Sequence, residues 1–267
     1  PDIITPKDKG SNPYTAIVAP QSVAAGTTFI TCTFTNGKVF VYKMKNDTDW
    51  QAGKEYTYTV SLAAAKDPGY TVSEDGKTYT VYNANGLLAW NEAVQKDMTL
   101  NCTLTADITL PAVADGESNW TPMGTDYDPY NPYTGTFDGG GKYTITGLTV
   151  TGSNDYVGLF GRIGSGGAVK NVILTEVNVT AGTSVGGIAG QNDGTVENCS
   201  VNGTVTGRGF TDTGGIVGTN YGTISGCSAE GTVTGNTNVG GISGLCVPNY
   251  DTGTGSLIGS TIVGCGS

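Results

Sequence analysis

The sequence predicts an all-β chain in two parts. An N-terminal antiparallel β-sandwich-like module spans residues 1–82. A parallel β-helix (solenoid) of about five coils follows over 83–267, with one N-terminal capping helix. Three observations carry this prediction. Alternating strands joined by Asn36-Gly37 and Asp75-Gly76 mark the first part, because such dipeptides favour tight hairpin turns. The second part repeats itself: GTVENCSVNGTVTG (Gly194 to Gly207) is followed by GTISGCSAEGTVTG (Gly222 to Gly235), and repetition on that scale marks stacked units. Glycine is partitioned to match, with 33 of the 43 glycines in residues 139–267.

Each element has a local reason. TTFITCTF and KVFVYKM alternate apolar and polar residues around Asn36-Gly37, and EYTYTVSL reads as a third strand. YTVSEDGKTYTVY forms a second hairpin around Asp75-Gly76. The stretch NANGLLAWNEAVQK, residues 83–96, has Asn85 as a candidate cap and an apolar face of Leu87, Leu88, Trp90 and Val94. It predicts a helix that covers the first coil and keeps its edge from pairing with other chains. LNCTLTADITL then alternates, with Leu100, Cys102, Leu104, Ala106, Ile108 and Leu110 on one side.

From Gly141 the chain is read as five rows: YTITGLTV, GAVKNVIL, GTVENCSV, GTISGCSA and GSLIGSTI. Ile145, Val169, Val196, Ile224 and Leu257 make a first column, with further inward residues three and five positions on. A spacing of three cannot hold two residues on one face of a flat strand, so a corner falls between them. Only Gly or Asn occupies that corner (Gly147, Asn171, Asn198, Gly226, Gly259), the types that tolerate positive φ. VGLFG, VGGIAG, TGGIVG and VGGISG form a second ladder, with Leu159, Ile188, Ile216 and Ile242 in the core. Lys170 over Glu197 is the expected outward cross-rung pair.

Composition removes several functions. With a net charge of −10 and Arg162 and Arg208 as the only arginines, nucleic acid is not an expected partner. The chain has no histidine, hence no HExxH zinc-peptidase site. No apolar run is long enough to span a membrane. The opening at Pro1, without an initiator Met or signal-peptide core, reads as a mature or trimmed form. The six cysteines show no CxxC spacing and read as core-filling thiols, with Cys199 over Cys227; Cys246 and Cys265 are the pair more open to a bridge.

The VGLFG and GGIxG ladders resemble the GLUG motif of bacterial surface proteins. The run from YTVYNANGLLAWNEAV through LTADITLP, WTPMG and GTFDGGG resembles the segment that leads into such repeats. DWQAGKEYTYTVSL is similar to the closing strands of fimbrillin-like domains in surface lipoproteins of anaerobic gut bacteria. The resemblance implies an adhesin-like protein at the outer face of the bacterial outer membrane, held by a lipid anchor outside this sequence. Its expected ligand is a glycan or glycoprotein. GLUG repeats also occur beside IgA-specific metallopeptidases, an activity this histidine-free chain is not expected to have.

The candidate ligand site is TDYDPYNPY. Tyr127, Tyr130 and Tyr133 could stack on sugar faces, and Asp126 and Asp128 could bind hydroxyls or a calcium ion. Against this stands a Pro-rigidified loop packing its own tyrosines onto the solenoid, which is the favoured reading. No catalytic residue, cofactor or resident metal is expected. Asp107 and Asp138 are read as turn residues rather than an acid/base pair, although parallel β-helices also host polysaccharide-degrading enzymes. A fimbrial or stalk subunit, self-associating through its C-terminal coil, is the other alternative.

Overall fold

The structure, a computed structural model, describes residues 7–8, 14–15, 19–33, 39–54, 56, 58, 67–124, 130–210, 212–250, 257–258 and 261–266. The chain divides into two compact units, Pro1–Asp67 and Pro68–Ser267. The boundary expected at 82/83 therefore falls earlier. Hairpin strands Tyr70–Val72 and Thr78–Val81 belong to the second unit, because Thr78–Val81 pairs in parallel with Asn101–Leu104.

The first unit is antiparallel throughout its described strands. Thr28–Thr33 pairs with Val39–Lys43, the hairpin anticipated from Asn36-Gly37, whose turn lies outside the described residues. Two pairings lacked a sequence signal: Gln21–Val23 with Thr48–Trp50, and Lys7–Asp8 with Tyr14–Thr15. The strand expected over 55–62 lies mostly outside the described residues. Its Tyr58 nonetheless packs on Phe29 (ring centroids 4.8 Å apart) and accepts a hydrogen bond from Trp50 Nε1 at 2.8 Å. An aromatic cluster thus gives this small unit its core.

The second unit is a β-solenoid of about four turns rather than five. Its first sheet runs in parallel from Thr78–Val81 through Asn101–Leu104, Thr136–Asp138, Ala168–Lys170, Thr195–Glu197 and Thr223–Ser225 to Thr261–Val263. A second sheet stacks Ile108–Thr109, Thr144–Thr146, Ile173–Ala181, Ser200–Gly207 and Ser228–Thr234. A third stacks Phe160–Ile163, Ala189–Asn192, Val217–Asn220 and Ser243–Cys246, and the two-residue ladder Val185–Gly186, Thr213–Gly214, Val239–Gly240 leads into it.

Stacking in register explains the repeats. Val169, Val196 and Ile224 pair rung over rung, and Leu159, Ile188 and Ile216 are fully buried with Ile242 packed against them. Like residues sit over like because each coil is too thin to bury its own apolar side chains. The corner residues Asn171, Asn198 and Gly226 have φ of 57°, 51° and 61°, the left-handed region that Asn and Gly enter at least cost.

The outer rows were misaligned. Ile145 pairs with Leu174 in the second sheet, and Phe137 takes the place over Val169. The extra glycines at 139–141 lengthen that corner and move Ile145 one sheet on. Leu257 also leaves the column: Leu257–Ile258 pairs antiparallel with Asn249–Tyr250, and Ile262 stacks on Ile224 instead. That hairpin consumes the row read as a fifth coil. Lys170 does stand in register with Glu197, but its Nζ lies 3.5 Å from Asp138 Oδ2 in the preceding coil.

Helix α1 (Ala84–Val94) caps the start of the solenoid. Its N-cap is Asn83 rather than Asn85: the Asn83 side chain accepts from the Gly86 amide at 3.1 Å. Leu87, Trp90 and Val94 are fully buried. The Trp90 ring meets Phe137 at 5.1 Å, Tyr133 at 6.1 Å and Phe160 at 6.4 Å between centroids. This aromatic plug fills the end of the coil interior.

Candidate functional site

Tyr133 is not a surface residue. It is 0 % exposed, its hydroxyl donates to the Leu100 carbonyl at 3.1 Å, and its ring lies 4.8 Å from Phe160. Burial pushes its ionisation far above the ordinary tyrosine range. Tyr133 belongs to the core, because the capping helix brings Trp90 against it. Tyr127, Asp126 and Asp128 lie outside the described residues. Tyr130 is 56 % exposed and is the described member of the proposed platform that remains available to a ligand.

Tyr130 has company that the sequence did not announce. Arg162, in the first strand of the third sheet, places its guanidinium carbon 5.6 Å from the Tyr130 ring centre and 3.7 Å from that of Tyr156. Two tyrosines thus flank one cation. Arg162 is itself almost wholly buried, so it orders the rings rather than meeting solvent. Gln191 pairs with Arg162 one coil later, and its Nε2 donates to Asp193 Oδ2 at 2.8 Å. Burial raises the Asp193 carboxyl above the usual carboxylate range, against the Gln191 hydrogen bond and the Arg162 charge. Tyr130 and Tyr221 are each pushed up by burial and then by the negative charge of Asp193.

Tyr156 adds a conformational signal. Its φ is 57°, where the corresponding positions of later coils carry Ser184 and Asn238 at 52° and 47°. A bulky aromatic in that region costs about 1–2 kcal/mol of backbone strain, where Asn or Gly would sit more easily. Strain of this kind gathers at functional positions.

A neighbouring polar cluster is structural. Thr219 donates to Asp212 Oδ2 at 2.7 Å, Asn238 Nδ2 to Asp212 Oδ1 at 2.8 Å, and Ser184 meets Thr219 at 3.1 Å. This mostly buried network ties the entry loops of three coils together. Asn192 and Asn220, fully buried, form an amide ladder at 2.8 Å.

Of the two aspartates weighed as an acid/base pair, Asp138 serves its own turn, whereas Asp107 ties its strand to the next coil. Asp107 accepts from the Thr144 amide at 2.9 Å. Asp138 accepts from Gly140 N at 2.9 Å and Asn171 Nδ2 at 3.0 Å. Burial alone would raise Asp138, but those hydrogen bonds and Lys170 outweigh it and hold the carboxyl low. A carboxylate held low, as Asp138 is, makes a poor proton donor near neutral pH. Among the described residues, no group of three or more His, Cys, Asp or Glu side chains is placed to hold a metal ion.

The row layout could have found this site. Gly190-Gln-Asn-Asp-Gly194 and Gly218-Thr-Asn-Tyr-Gly222 put Asp193 and Tyr221 at one position of successive coils. Each is unique in its column, which is where a repeat protein departs from its repeat.

Comparison with known proteins agrees with the architecture. Residues 1–74 match the fimbrillin-like family, and residues 181–206 and 211–234 match the GLUG motif. "Halomucin" of Haloquadratum walsbyi is 36 % identical over 179 residues, 60 % of this chain and 2 % of that protein. A "Putative Gly-rich membrane protein" of Evansella cellulosilytica is 40 % identical over 103 residues, 37 % of this chain and 12 % of that protein. The chain thus spans only a small part of the length of these relatives. Among solved structures, a "putative immunoglobulin A1 protease from Bacteroides ovatus" is similar with a TM-score of 0.48 and 19 % identity, over 73 % of this chain and 76 % of that one. The chain carries a fimbrillin-like module followed by a GLUG-bearing β-solenoid.

Proposed function

We propose that this chain is a non-catalytic, adhesin-like binding protein of the bacterial cell surface, and that it takes glycans at the cluster around Tyr130. The observation that carries this reading is the pair of rings, Tyr130 and Tyr156, held on the Arg162 guanidinium, with Gln191 and its Asp193 partner on the neighbouring coil. Aromatic faces take the apolar side of a sugar ring, and a carboxylate with an amide neighbour takes its hydroxyls. The relatives named "Halomucin" and "Putative Gly-rich membrane protein", and the fimbrillin-like module, support the surface setting. No helix among the described residues is long and apolar enough to cross a membrane. Attachment through a lipid anchor is part of the proposal.

The test is a glycan array probed with the chain and with Tyr130→Ala. Tyr130 is exposed, so its removal leaves the fold intact. Saturable binding that falls at least about tenfold, or roughly 1.4 kcal/mol, in the variant supports the site. Binding unaffected by the variant moves the ligand elsewhere, and no binding to any glycan overturns the reading.

A second reading, assembly through the C-terminal coil, is favoured by one observation. Val239, Leu245, Ile262 and Val263 of the last rungs are 37–57 % exposed. Concentration-dependent sedimentation abolished by Leu245→Lys would support it.

A further inference from the structure

Cys199, Cys227 and Cys265 stand three residues beyond Val196, Ile224 and Ile262, which pair rung over rung. The three sulfurs therefore form one column through successive coils. The Cys199 amide donates to Cys227 Sγ at 3.4 Å, and the Cys227 amide to Cys265 Sγ at 3.3 Å. Each thiol in turn donates to the carbonyl two residues before it, at 3.2, 3.3 and 3.4 Å. All three are free thiols.

The column is uniform in geometry but not in access. Cys199 and Cys227 are 1 % exposed, whereas Cys265 is only half-buried. Adjacent parallel rungs lie about 4.8 Å apart, inside the roughly 4.4–6.8 Å between Cα atoms that a disulfide spans. Cys199 and Cys227 are packed between neighbouring coils and shielded from solvent. Cys265 has solvent on one side.

We propose that Cys265 and Cys227 form a redox modification site for low-molecular-weight disulfides, in which Cys265 takes up the small thiol and Cys227 displaces it. In the first step the Cys265 thiolate attacks the small disulfide RSSR; a Cys265–SR bond forms, the S–S bond of RSSR breaks, and RS⁻ leaves, taking up the proton lost by Cys265. In the second, the Cys227 thiolate attacks the Cys265 sulfur, a Cys227–Cys265 bond forms, and the second RS⁻ leaves with the Cys227 proton. Two protein thiols are oxidised and one RSSR is reduced to two RSH. The division of labour follows from access, with the exposed sulfur meeting the reagent and the buried one resolving it. It also fits thiol acidity: the side-chain contact with Cys199 lowers Cys227, while contact with Cys227 and burial push Cys199 up. The bridge fastens strand Thr261–Val263 covalently to the coil that carries Thr223–Ser225.

The experiment treats the folded full chain with oxidised glutathione and follows it by peptide mass mapping. The expected product is a Cys227–Cys265 bridge, about 2 Da lighter than the paired thiol peptides. Cys227→Ser should accumulate a glutathione adduct on Cys265, and Cys265→Ser should leave Cys227 unmodified. Exposed Cys246 supplies the internal comparison, taking an adduct that is not resolved. A lasting Cys265 adduct in the unsubstituted chain, or a bridge from Cys265 to Cys246, would overturn the proposal. So would a Cys265 that reacts no faster than Cys227, and each of these is readable without any variant.

Discussion

Trp90 sits where the capping helix closes the solenoid, and two substitutions there separate its packing from its polar atom. The ring is fully buried against Phe137, Tyr133 and Phe160, yet its Nε1 has no hydrogen-bond partner among the described residues. Trp90→Ala removes the plug and should cost about 3–5 kcal/mol. Trp90→Phe keeps most of it. The phenyl ring gives up roughly 50 Å² of buried apolar area, about 1.2 kcal/mol at 25 cal/mol per Å². It also removes a buried unsatisfied donor, a gain of about 1–3 kcal/mol. The two effects nearly cancel, so Trp90→Phe should lie within about 1 kcal/mol of the parent and some 3 kcal/mol above Trp90→Ala. Urea titration of the solenoid transition by far-ultraviolet circular dichroism measures both. If Trp90→Phe proves as damaging as Trp90→Ala, the indole N–H is engaged in the folded chain and the reasoning fails.

Other substitutions test the ladder and the site. Asn192→Ala leaves the Asn220 side-chain oxygen and the Gly194 amide without their partner, and should cost about 2–4 kcal/mol in the same titration. Asn198→Ala, at φ 51°, should lower stability by about 1–2 kcal/mol, while Asn198→Gly stays close to the parent because Gly226 already serves that corner one coil on. Asp193→Asn should do two things at once. Burial raises this carboxyl, so the fold favours its neutral form; the stability it contributes is present at acid pH and is lost as pH rises through the folded-state value. The amide should therefore stabilise the chain at neutral pH, leave it unchanged near pH 3, and abolish glycan binding. A variant less stable at neutral pH would refute the assignment of burial as the dominant influence.

The middle of the solenoid was legible because GAVKNVIL, GTVENCSV and GTISGCSA keep one spacing and one corner type. Where spacing changes, pattern matching slides. YTITGLTV satisfies the same template, yet the glycines at 139–141 had already carried the chain round a longer corner, so Ile145 belongs one sheet further on. GSLIGSTI matches as well, but its Leu257 is held by an antiparallel partner, a long-range pairing that periodicity does not encode. Tyr133 reads as a loop residue beside Pro129 and Pro132, and only the docking of Trp90 shows it to be core. The cluster proposed to bind glycans was the least legible part. Tyr130, Tyr156, Arg162, Asp193 and Tyr221 come from different coils, and a single row shows no more than two of them.

Stacking in register also sets what duplication can add. A repeat of 28 residues separates Cys199 from Cys227, and one more rung lengthens the body by only about 4.8 Å. The same residues fully extended would reach roughly 90 Å. Growth by whole repeats is therefore a poor way to project a ligand site away from a surface. What it multiplies is breadth: every added coil brings a fresh set of corner loops that must obey no rule except to leave and rejoin the ladder in register. Selection can rewrite one loop, as at Tyr156 or Tyr221, without disturbing the rung beneath it.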